Sequence, residues 1–263
     1  MKGQTFLMRS SSSGIKRIVA VPCVSLLLLV VGGCGESDSS DIRTSGFYAQ
    51  FRITATDNNQ TNVWAMFKTG SGIGNDTIIL TGGDSLQATA LGNTRTLARN
   101  SSNAYETDFN IDGGDTEFVI SLMRPNDVDA PDSRITLPAA FDILMPNANE
   151  LFQRGSTITV SWSPSVATED IRVYFEGECL SRTTGNPIRF SVLYITADVG
   201  MFTASVDTIM NVFGDLPFFD TSINCPVTIS VQRNSTGSID PHYGQGGTIS
   251  AKLIRNRNVI FDP

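Results

Sequence analysis

Apolar and polar residues alternate along most of the chain beyond residue 45. This period of two is that of a β-strand with one buried face. The alternating runs are short and are separated by turns rich in Gly, Asn and Asp, a pattern typical of antiparallel sandwiches and barrels. No window shows the period of a long amphipathic helix. We therefore predict an all-β protein with a first antiparallel β-sandwich domain over residues 45–123.

A second set of alternating runs covers residues 137–263. Seven such runs are the number expected of an immunoglobulin-like β-sandwich, and the clearest places Ile158, Val160 and Trp162 on one face. Residues 146–164, with their Arg-Gly-Ser-Thr-Ile-Thr-Val-Ser-Trp run, resemble the entry strands of immunoglobulin-like domains in cell-surface and cell-wall proteins. The resemblance implies a fold and carries no function.

Residues 124–136 separate the two sets of strands. Their first part is rich in Pro and Asp and has no apolar period, which predicts an interdomain linker. Asn126, Asp127, Asp129 and Pro131 faintly resemble the calcium-binding linker between cadherin repeats. The spacing and the missing upstream acidic ligands depart from that pattern, so we predict a solvated linker.

Residues 1–33 have the three parts of a secretory signal peptide. Basic residues without any acid come first, an uncharged apolar run follows from Ile18 to Val31, and two small residues, Gly32 and Gly33, close it. A transmembrane helix is the alternative, but the run is shorter than the roughly 18–20 apolar residues that span a bilayer. The sequence therefore predicts a leader that is removed.

The leader ends in Val31-Gly32-Gly33-Cys34, which resembles the lipobox of bacterial lipoproteins. The resemblance implies that the Cys34 thiol receives a diacylglyceryl group, that cleavage falls before Cys34 and that the new amino terminus is acylated. Stable membrane anchoring requires more than one acyl chain, which agrees with this chemistry. An ordinary signal peptidase site is the alternative.

Residues 34–44 are polar and lack an apolar period, so we predict a disordered tether behind the anchor. Gly35 stands where lipoproteins retained in the inner membrane often carry Asp. By resemblance to Gram-negative sorting, this residue favours the outer membrane. We expect an exported protein that meets a membrane through the lipid on Cys34.

Charge narrows the classes of partner. Without the four basic residues of the leader, the chain keeps 15 basic and 26 acidic side chains, a net charge of −11. Such a surface disfavours non-specific binding to nucleic acid, and no basic stripe is visible in the sequence. We predict no nucleic-acid partner.

Two cysteines remain beside Cys34, namely Cys179 and Cys225. An even pair in an exported chain predicts a disulfide bond, with two buried free thiols as the alternative. The chain has no Cys-x-x-Cys motif and a single histidine, so we expect no metal site.

Few residues suggest catalysis. A Ser-His-Asp site would have to use His242, and no Gly-x-Ser-x-Gly motif accompanies it. Glu176 and Glu178 flank Gly177 near a strand end and could form the carboxylate pair of a glycosidase, although acidic residues are common there. Residues 112–117 carry oxygen ligands on a turn, as calcium sites do, although a simple β-turn is the commoner explanation. We predict no catalytic residues and no cofactor.

Residues 209–219 are the least ordinary part of the chain beyond the leader. Seven of these eleven residues are large and apolar, and they follow no period of two. A helix and loop that cap the core would explain them, and so would an apolar contact site. We predict a contact patch with Phe213 buried as a plug and at least one of the last two phenylalanines accessible. Its members are Phe213, Leu216, Phe218 and Phe219.

These patterns together predict a membrane-anchored envelope lipoprotein that acts as a binding or structural module, with an envelope protein or polysaccharide as its partner. A hydrolase of envelope polymers and an accessory subunit of an envelope complex are the alternatives. An exposed aromatic platform or apolar patch would favour the binding module, and a large open apolar surface would favour the subunit. Converging carboxylates or His242 in a cleft would favour the hydrolase.

Overall fold

Strands dominate the residues that the computed structural model describes, which are 35–57, 59–72, 75–111, 113–211 and 219–262. The strands of the amino-terminal half are β1 Glu36–Asp38, β2 Tyr48–Thr56, β3 Gln60–Lys68, β4 Thr77–Ile79, β5 Ser85–Ala90, β6 Asn93–Thr96, β7 Ala98–Arg99, β8 Tyr105–Phe109, β9 Glu117–Met123 and β10 Ala130–Thr136. Short 3-10 helices cover Ser39–Asp41 and Thr44–Gly46.

The carboxy-terminal half continues with β11 Asp142–Met145, β12 Leu151–Gln153, β13 Thr157–Ser163, β14 Asp170–Leu180, β15 Pro187–Ala197, β16 Met201–Ser205, the helix α1 Val206–Met210, β17 Cys225–Thr236 and β18 Gly247–Asp262. Among the described helices, none has the length and apolar character needed to cross a bilayer.

The described strands form one large sheet, here called the main sheet, and two small ones. The main sheet has the order β1-β4-β3-β2-β18-β17-β14-β15, with β12 beside β18, β8 beside β3 and β7 beside β8. The first cover sheet has the order β10-β9-β5-β6, and the second has the order β11-β13-β16. This architecture confirms the all-β prediction.

Aromatic side chains show how the cover sheets pack on the main sheet. Phe109 of β8 and Phe118 of β9 lie with ring centroids 5.4 Å apart. Phe175 of β14 and Phe202 of β16 lie 6.3 Å apart. Each small sheet therefore closes a sandwich over one half of the main sheet, with the apolar faces of the longer strands turned inward.

The second sandwich has the strand arrangement of an immunoglobulin-like domain. The three strands β11, β13 and β16 face the four strands β15, β14, β17 and β18, and β12 runs parallel to the end of β18. This three-against-four arrangement with an added edge strand confirms the predicted fold of the second half.

The sequence predicted two separate sandwiches. The structure differs, because β18 belongs to both halves. Its first part, Gly247–Leu253, pairs in parallel with Ala49–Ala55 of β2, and its last residues, Ile260–Asp262, pair with β12. The buried apolar residues form one cluster, and residues Cys34–Pro263 form one compact unit. Uninterrupted alternation over the 16 residues of β18 does not show where its neighbour changes.

The sequence predicted a disordered tether over residues 34–44. The structure differs over the described part of this segment, residues 35–44. Glu36–Asp38 pairs in parallel with β4, and the carboxylate of Asp76 accepts the backbone N–H of Gly35 at 3.1 Å. Buried Ser39 bonds to Thr81 across this contact. Hydrogen bonds thus order a segment whose composition offers little apolar area to bury.

The predicted solvated linker, residues 124–136, is partly a strand. Within it, β10 pairs with β9, and Arg134 forms a backbone bridge to Ser238. The carboxylate of Asp129 accepts the backbone N–H of Arg124 at 2.5 Å. Asp129 is one of the residues that faintly resemble a calcium linker. In the structure its carboxylate closes a turn.

Arg124 ties this region together from inside the protein. Its side chain is buried and donates to Asp84 at 2.9 Å, to Asp127 and the Thr44 hydroxyl at 3.1 Å each, and to the carbonyl of Ile42 at 2.9 Å. A buried guanidinium with these partners stabilises the fold, because each N–H that it donates is satisfied. Its partners come from both sides of the first sandwich.

A second buried ion pair holds the second sandwich. Asp198 and Arg233 are fully buried and lie 2.6 Å apart, and Asp198 also accepts the indole N–H of Trp162 at 2.6 Å. Arg233 donates to the carbonyls of Ala139 at 2.8 Å and Pro164 at 2.6 Å. Three loops and two strands therefore meet at one satisfied polar cluster.

Candidate functional site

Several residues predicted from the sequence lie outside the described residues. These are Cys34 and, in the predicted contact patch, Phe213, Leu216 and Phe218. Phe219 is described, and it is buried with its ring centroid 6.4 Å from that of Phe190. Phe219 is therefore a core residue and not part of an exposed patch. The prediction that at least one of Phe218 and Phe219 is accessible stays a prediction, because Phe218 lies outside the described residues.

The predicted disulfide bond is present. Cys179 at the end of β14 and Cys225 at the start of β17 are bonded, with Cα atoms 4.7 Å apart. The β14–β17 register, in which Gly177 stands opposite Val227, brings the two cysteines together at the next inward position. Both are buried, so the bond cross-links neighbouring strands inside the second sandwich.

His242 lines a cleft of about 540 Å³. Its Nδ1 lies 2.8 Å from the carboxylate of Asp240, which is buried and also accepts the backbone N–H of Asp132 at 2.7 Å. Within the described part of the chain, no hydroxyl or thiol hydrogen-bonds to His242. The pair shapes the 240–243 turn and lacks the nucleophile that acyl transfer requires.

Glu176 and Glu178 share the outer face of β14 and a cleft of about 820 Å³, as their spacing suggested. Glu178 is paired with Arg189 at 2.7 Å, and Glu176 accepts the hydroxyl of Ser191 at 3.3 Å. These contacts are an exposed ion pair and a surface hydrogen bond, and neither marks a carboxylate as the proton donor of a glycosidase. The geometry gives the hydrolase interpretation no added support.

The predicted turn at residues 112–117 is only partly described, since Asp112 falls outside. Gly113, Gly114 and Asp115 have φ angles of 85°, 80° and 50°, which is the left-handed region that glycine favours in turns. In the described residues, no group of three or more His, Cys, Asp or Glu side chains converges on a point.

The most distinctive surface is the free edge of β15. In the part of the chain that the structure describes, β15 pairs along its whole length with β14 and has no strand on its other side. Its 11 residues pair without a bulge. Such an edge presents a row of backbone N–H and C=O groups to any other extended chain.

Residues 190–197 of β15 carry none of the features that protect a strand edge from pairing. Natural edge strands carry charges, prolines or bulges that discourage pairing. Between Phe190 and Ala197, β15 has none of them, and Arg189 is its only charged residue. This part of the strand can therefore accept a neighbour without burying a charge.

Exposed apolar side chains accompany the free edge. Leu193 and Ile195 on the outer face of β15 are 44% and 59% exposed, and Val199 and Met201 at the adjoining corner and on β16 are 60% and 56% exposed. We call these four side chains, with the free backbone of β15, the apolar edge. Because β16 ends the second cover sheet, both sheets of the sandwich are open on this side.

The apolar edge is absent from the sites predicted above, although the sequence carries a signal for it. Alternation puts Phe190, Val192 and Tyr194 on the inward face of the strand, which leaves Leu193 and Ile195 at outward positions. A strand that is apolar on both faces is usually buried on both of them. That signal marks a surface that needs a neighbour.

Comparisons with known proteins do not assign the chain to a family. No family model matches it, and no curated protein matches it. Among solved structures, it is similar to the FN1-FN3 domains of chicken CNTN1, with 9% identity, 81% of this chain and 66% of that chain covered, and a TM-score of 0.28.

A second similar structure is that of the fibronectin(III)-like modules of Clostridium thermocellum CbhA, with 10% identity, 82% and 90% coverage of this chain and of that one, and a TM-score of 0.21. A third is dimeric latent PorU from Porphyromonas gingivalis, with 13% identity, 81% and 19% coverage, and a TM-score of 0.22. Similarity at this level carries no argument about function, and the strand order establishes the fold.

Proposed function

We propose that the chain is an exported lipoprotein, held at a membrane by lipid on Cys34, whose folded part binds an envelope protein that adds a strand to β15. The observation that carries this proposal is the apolar edge, in which residues 190–197 of β15 carry no charge, proline or bulge and Leu193 and Ile195 are exposed. Strand addition gives affinity through backbone hydrogen bonds and specificity through alternate side chains.

The strand order separates the proposed anchor from the proposed binding edge. β1, which begins two residues after Cys34, ends the main sheet on one side, and β15 ends it on the other. Seven steps of about 4.8 Å between neighbouring strands put the two edges about 34 Å apart. Under this proposal, a lipid on Cys34 holds the β1 side at the bilayer, while β15 faces away from it.

The attachment would also be short. Gly35, the residue after Cys34, is hydrogen-bonded to Asp76, and β1 follows at once. A folded body attached this closely has little freedom to turn, so its far edge would be presented in a restricted orientation. Replacing Cys34 with Ala should abolish lipid labelling and release the protein from membranes.

The partner's chemistry follows from the edge. It should offer an extended segment with apolar residues at alternate positions, on the side that faces Leu193 and Ile195. The segment should carry no basic residue near these side chains, because Arg172 stands opposite Ile195 on β14 and would repel a second cation.

A crosslinking experiment tests this proposal. A photo-crosslinking residue replaces Ser191, which is exposed beside the edge, and the full chain is expressed in its native envelope. We expect one dominant crosslinked protein, lost when Leu193 and Ile195 are both changed to Lys. The matched control is Leu91→Lys, which changes an apolar side chain 70% exposed on another part of the surface.

Two results would count against an envelope protein that adds a strand to β15. One is the same crosslinked product in the Leu193→Lys, Ile195→Lys variant as in the unchanged protein. The other is a product that forms in purified protein alone, because it would mean that two copies of this chain pair through β15.

A further inference from the structure

A concave region of about 340 Å³ lies on the outer face of the main sheet, where β14, β17, β18 and β2 are neighbours. Three cationic side chains line it, Arg52 from β2, Arg172 from β14 and Lys252 from β18. The side chains of Gln232 and Asn234 on β17 line it as well and are hydrogen-bonded to each other. No carboxylate of a described residue lines this region.

The strand register puts the three cations in a diagonal row. Arg172 stands beside Gln232, Lys252 stands beside Asn234, and Arg52 stands beside Ser250 on the next strand. With about 4.8 Å between strands and about 3.3 Å per residue, the Cα atoms of Arg172 and Lys252 are about 12 Å apart and those of Lys252 and Arg52 about 8 Å apart. The row is therefore about 20 Å long, with amides and a hydroxyl between the charges.

The cations are available for a ligand. None of the three forms an ion pair with an acidic residue anywhere in the described ranges. Arg52 is held over the sheet by the ring of Trp64, with the guanidinium carbon 3.9 Å from the ring centroid. Acidic residues flank the row. Glu169 and Asp170 line a neighbouring concave region together with Arg172, and Glu106 stands opposite Trp64 on β8.

This grouping stands out against the charge of the whole protein. The chain beyond residue 33 carries a net charge of −11, and protein surfaces usually intersperse the two signs. Three like charges that share one concave region repel one another, and a bound anion would relieve that repulsion.

We propose that this row binds a linear acidic polysaccharide, with Arg172, Lys252 and Arg52 each on one of its carboxylate or phosphate groups. Guanidinium groups pair with these oxyanions in bidentate fashion. The side chains of Gln232 and Asn234 would bond to the hydroxyl groups of the sugar between the charges. This site uses residues other than those of the apolar edge and adjoins it, since Arg172 stands opposite Ile195 on the neighbouring strand.

The spacing distinguishes a glycan from nucleic acid. Double-stranded DNA carries one charge per about 1.7 Å of helix axis, and proteins meet it with dense basic surfaces. Three cations spread over about 20 Å match a polymer with sparse charges and many hydroxyl groups. The overall negative charge of the protein also opposes the approach of a densely charged polymer.

The test measures the binding of oligogalacturonate to the full chain in non-ionic detergent by calorimetry. Its methyl ester, which has the same sugars without the charges, is the matched ligand control. We expect oligogalacturonate to bind, salt to weaken the binding and the ester to bind at least about tenfold more weakly, because the site would lose charge-assisted hydrogen bonds.

Variants test the residues. Arg172→Gln combined with Lys252→Gln should lower the affinity at least about tenfold. Arg43→Gln combined with Arg182→Gln removes the same charge from exposed positions elsewhere and should change the affinity less than about threefold. Asp170→Asn, which removes the acid beside Arg172, should raise the affinity. A gain in affinity cannot be explained by a loss of folded protein.

Three outcomes would overturn the proposal. The first is no binding of oligogalacturonate, and the second is equal loss in the two double variants. The third arises in a parallel measurement with phosphatidylglycerol vesicles. If vesicles bind, require Arg172 and Lys252, and oligogalacturonate does not compete, the row recognises a lipid surface and not a glycan.

Discussion

The buried pair of Asp198 and Arg233 allows the sharpest test of the fold. Asp198→Asn keeps the shape of the side chain but leaves the Arg233 guanidinium buried without its counter-charge. Breaking a buried ion pair on one side typically costs about 3–5 kcal/mol. Because whole domains are stable by only about 5–15 kcal/mol, we expect a large fall in the urea midpoint.

The double variant distinguishes an ion pair from two independent contributions. Asp198→Leu with Arg233→Met removes both charges, so no buried charge is left uncompensated. The Trp162 indole and the carbonyls of Ala139 and Pro164 still lose partners, each at about 1–2 kcal/mol. We expect a cost of about 3–6 kcal/mol, which is about 3 kcal/mol or more below the sum of the single variants Asp198→Leu and Arg233→Met.

Equilibrium urea unfolding, followed by tryptophan fluorescence, measures these costs. The exposed pair Arg134–Glu117 is the control, because its side chains are 47% and 53% exposed, and Glu117→Gln should cost less than about 1 kcal/mol. A cost below about 1 kcal/mol for Asp198→Asn, or additive costs in the double variant, would refute the reasoning.

Three further predictions concern stability. Replacing Cys179 and Cys225 with Ser opens a loop of 46 residues and should lower the unfolding free energy by about 4 kcal/mol, with no further effect of a reductant. Main-chain hydrogen bonds, chiefly from Thr44, lower the pKa of Asp127. Asp127→Asn should therefore cost about 1.5 kcal/mol at neutral pH. The difference should begin to shrink as the pH falls through the ordinary carboxyl pKa of 3.8 and vanish only below the lowered pKa of the folded protein, where this carboxylate loses its charge. Burial, and then the charge of Asp240, raises the pKa of Tyr243, whose hydroxyl has no hydrogen-bond partner in the described structure. Tyr243→Phe should leave stability unchanged or raise it by about 1 kcal/mol. Above about pH 10, the unchanged protein should lose stability faster than this variant. A destabilised phenylalanine variant would show that the hydroxyl has a partner.

The sequence by itself determined most of the local structure. Alternation of apolar and polar residues predicted the strands, because a half-buried strand needs that period wherever it lies in a sheet. The seven runs of the second half predicted the immunoglobulin-like arrangement, and the cysteine pair followed from its position at two strand ends. All of these depend on residues close together in the chain or on a count of strands.

Tertiary structure alone decided which strands are neighbours. Alternation says which face of β18 is buried and does not say that its first half pairs with β2, so two expected domains became one body. Composition assigned residues 34–44 and 124–136 to solvent, yet Arg124 joins them from inside. Its partners lie as many as 85 positions away, beyond the reach of a local pattern.

The candidate sites depended on tertiary structure for the same reason. The exposed residues of β15 indicate a binding surface because no described strand pairs with its second side. The number of neighbours of a strand is a property of the whole sheet. Arg52, Arg172 and Lys252 are far apart in the chain, and only the order β14-β17-β18-β2 brings them to one face. Side-chain type is a local property of the sequence, whereas convergence on a site is created by long-range pairing of strands.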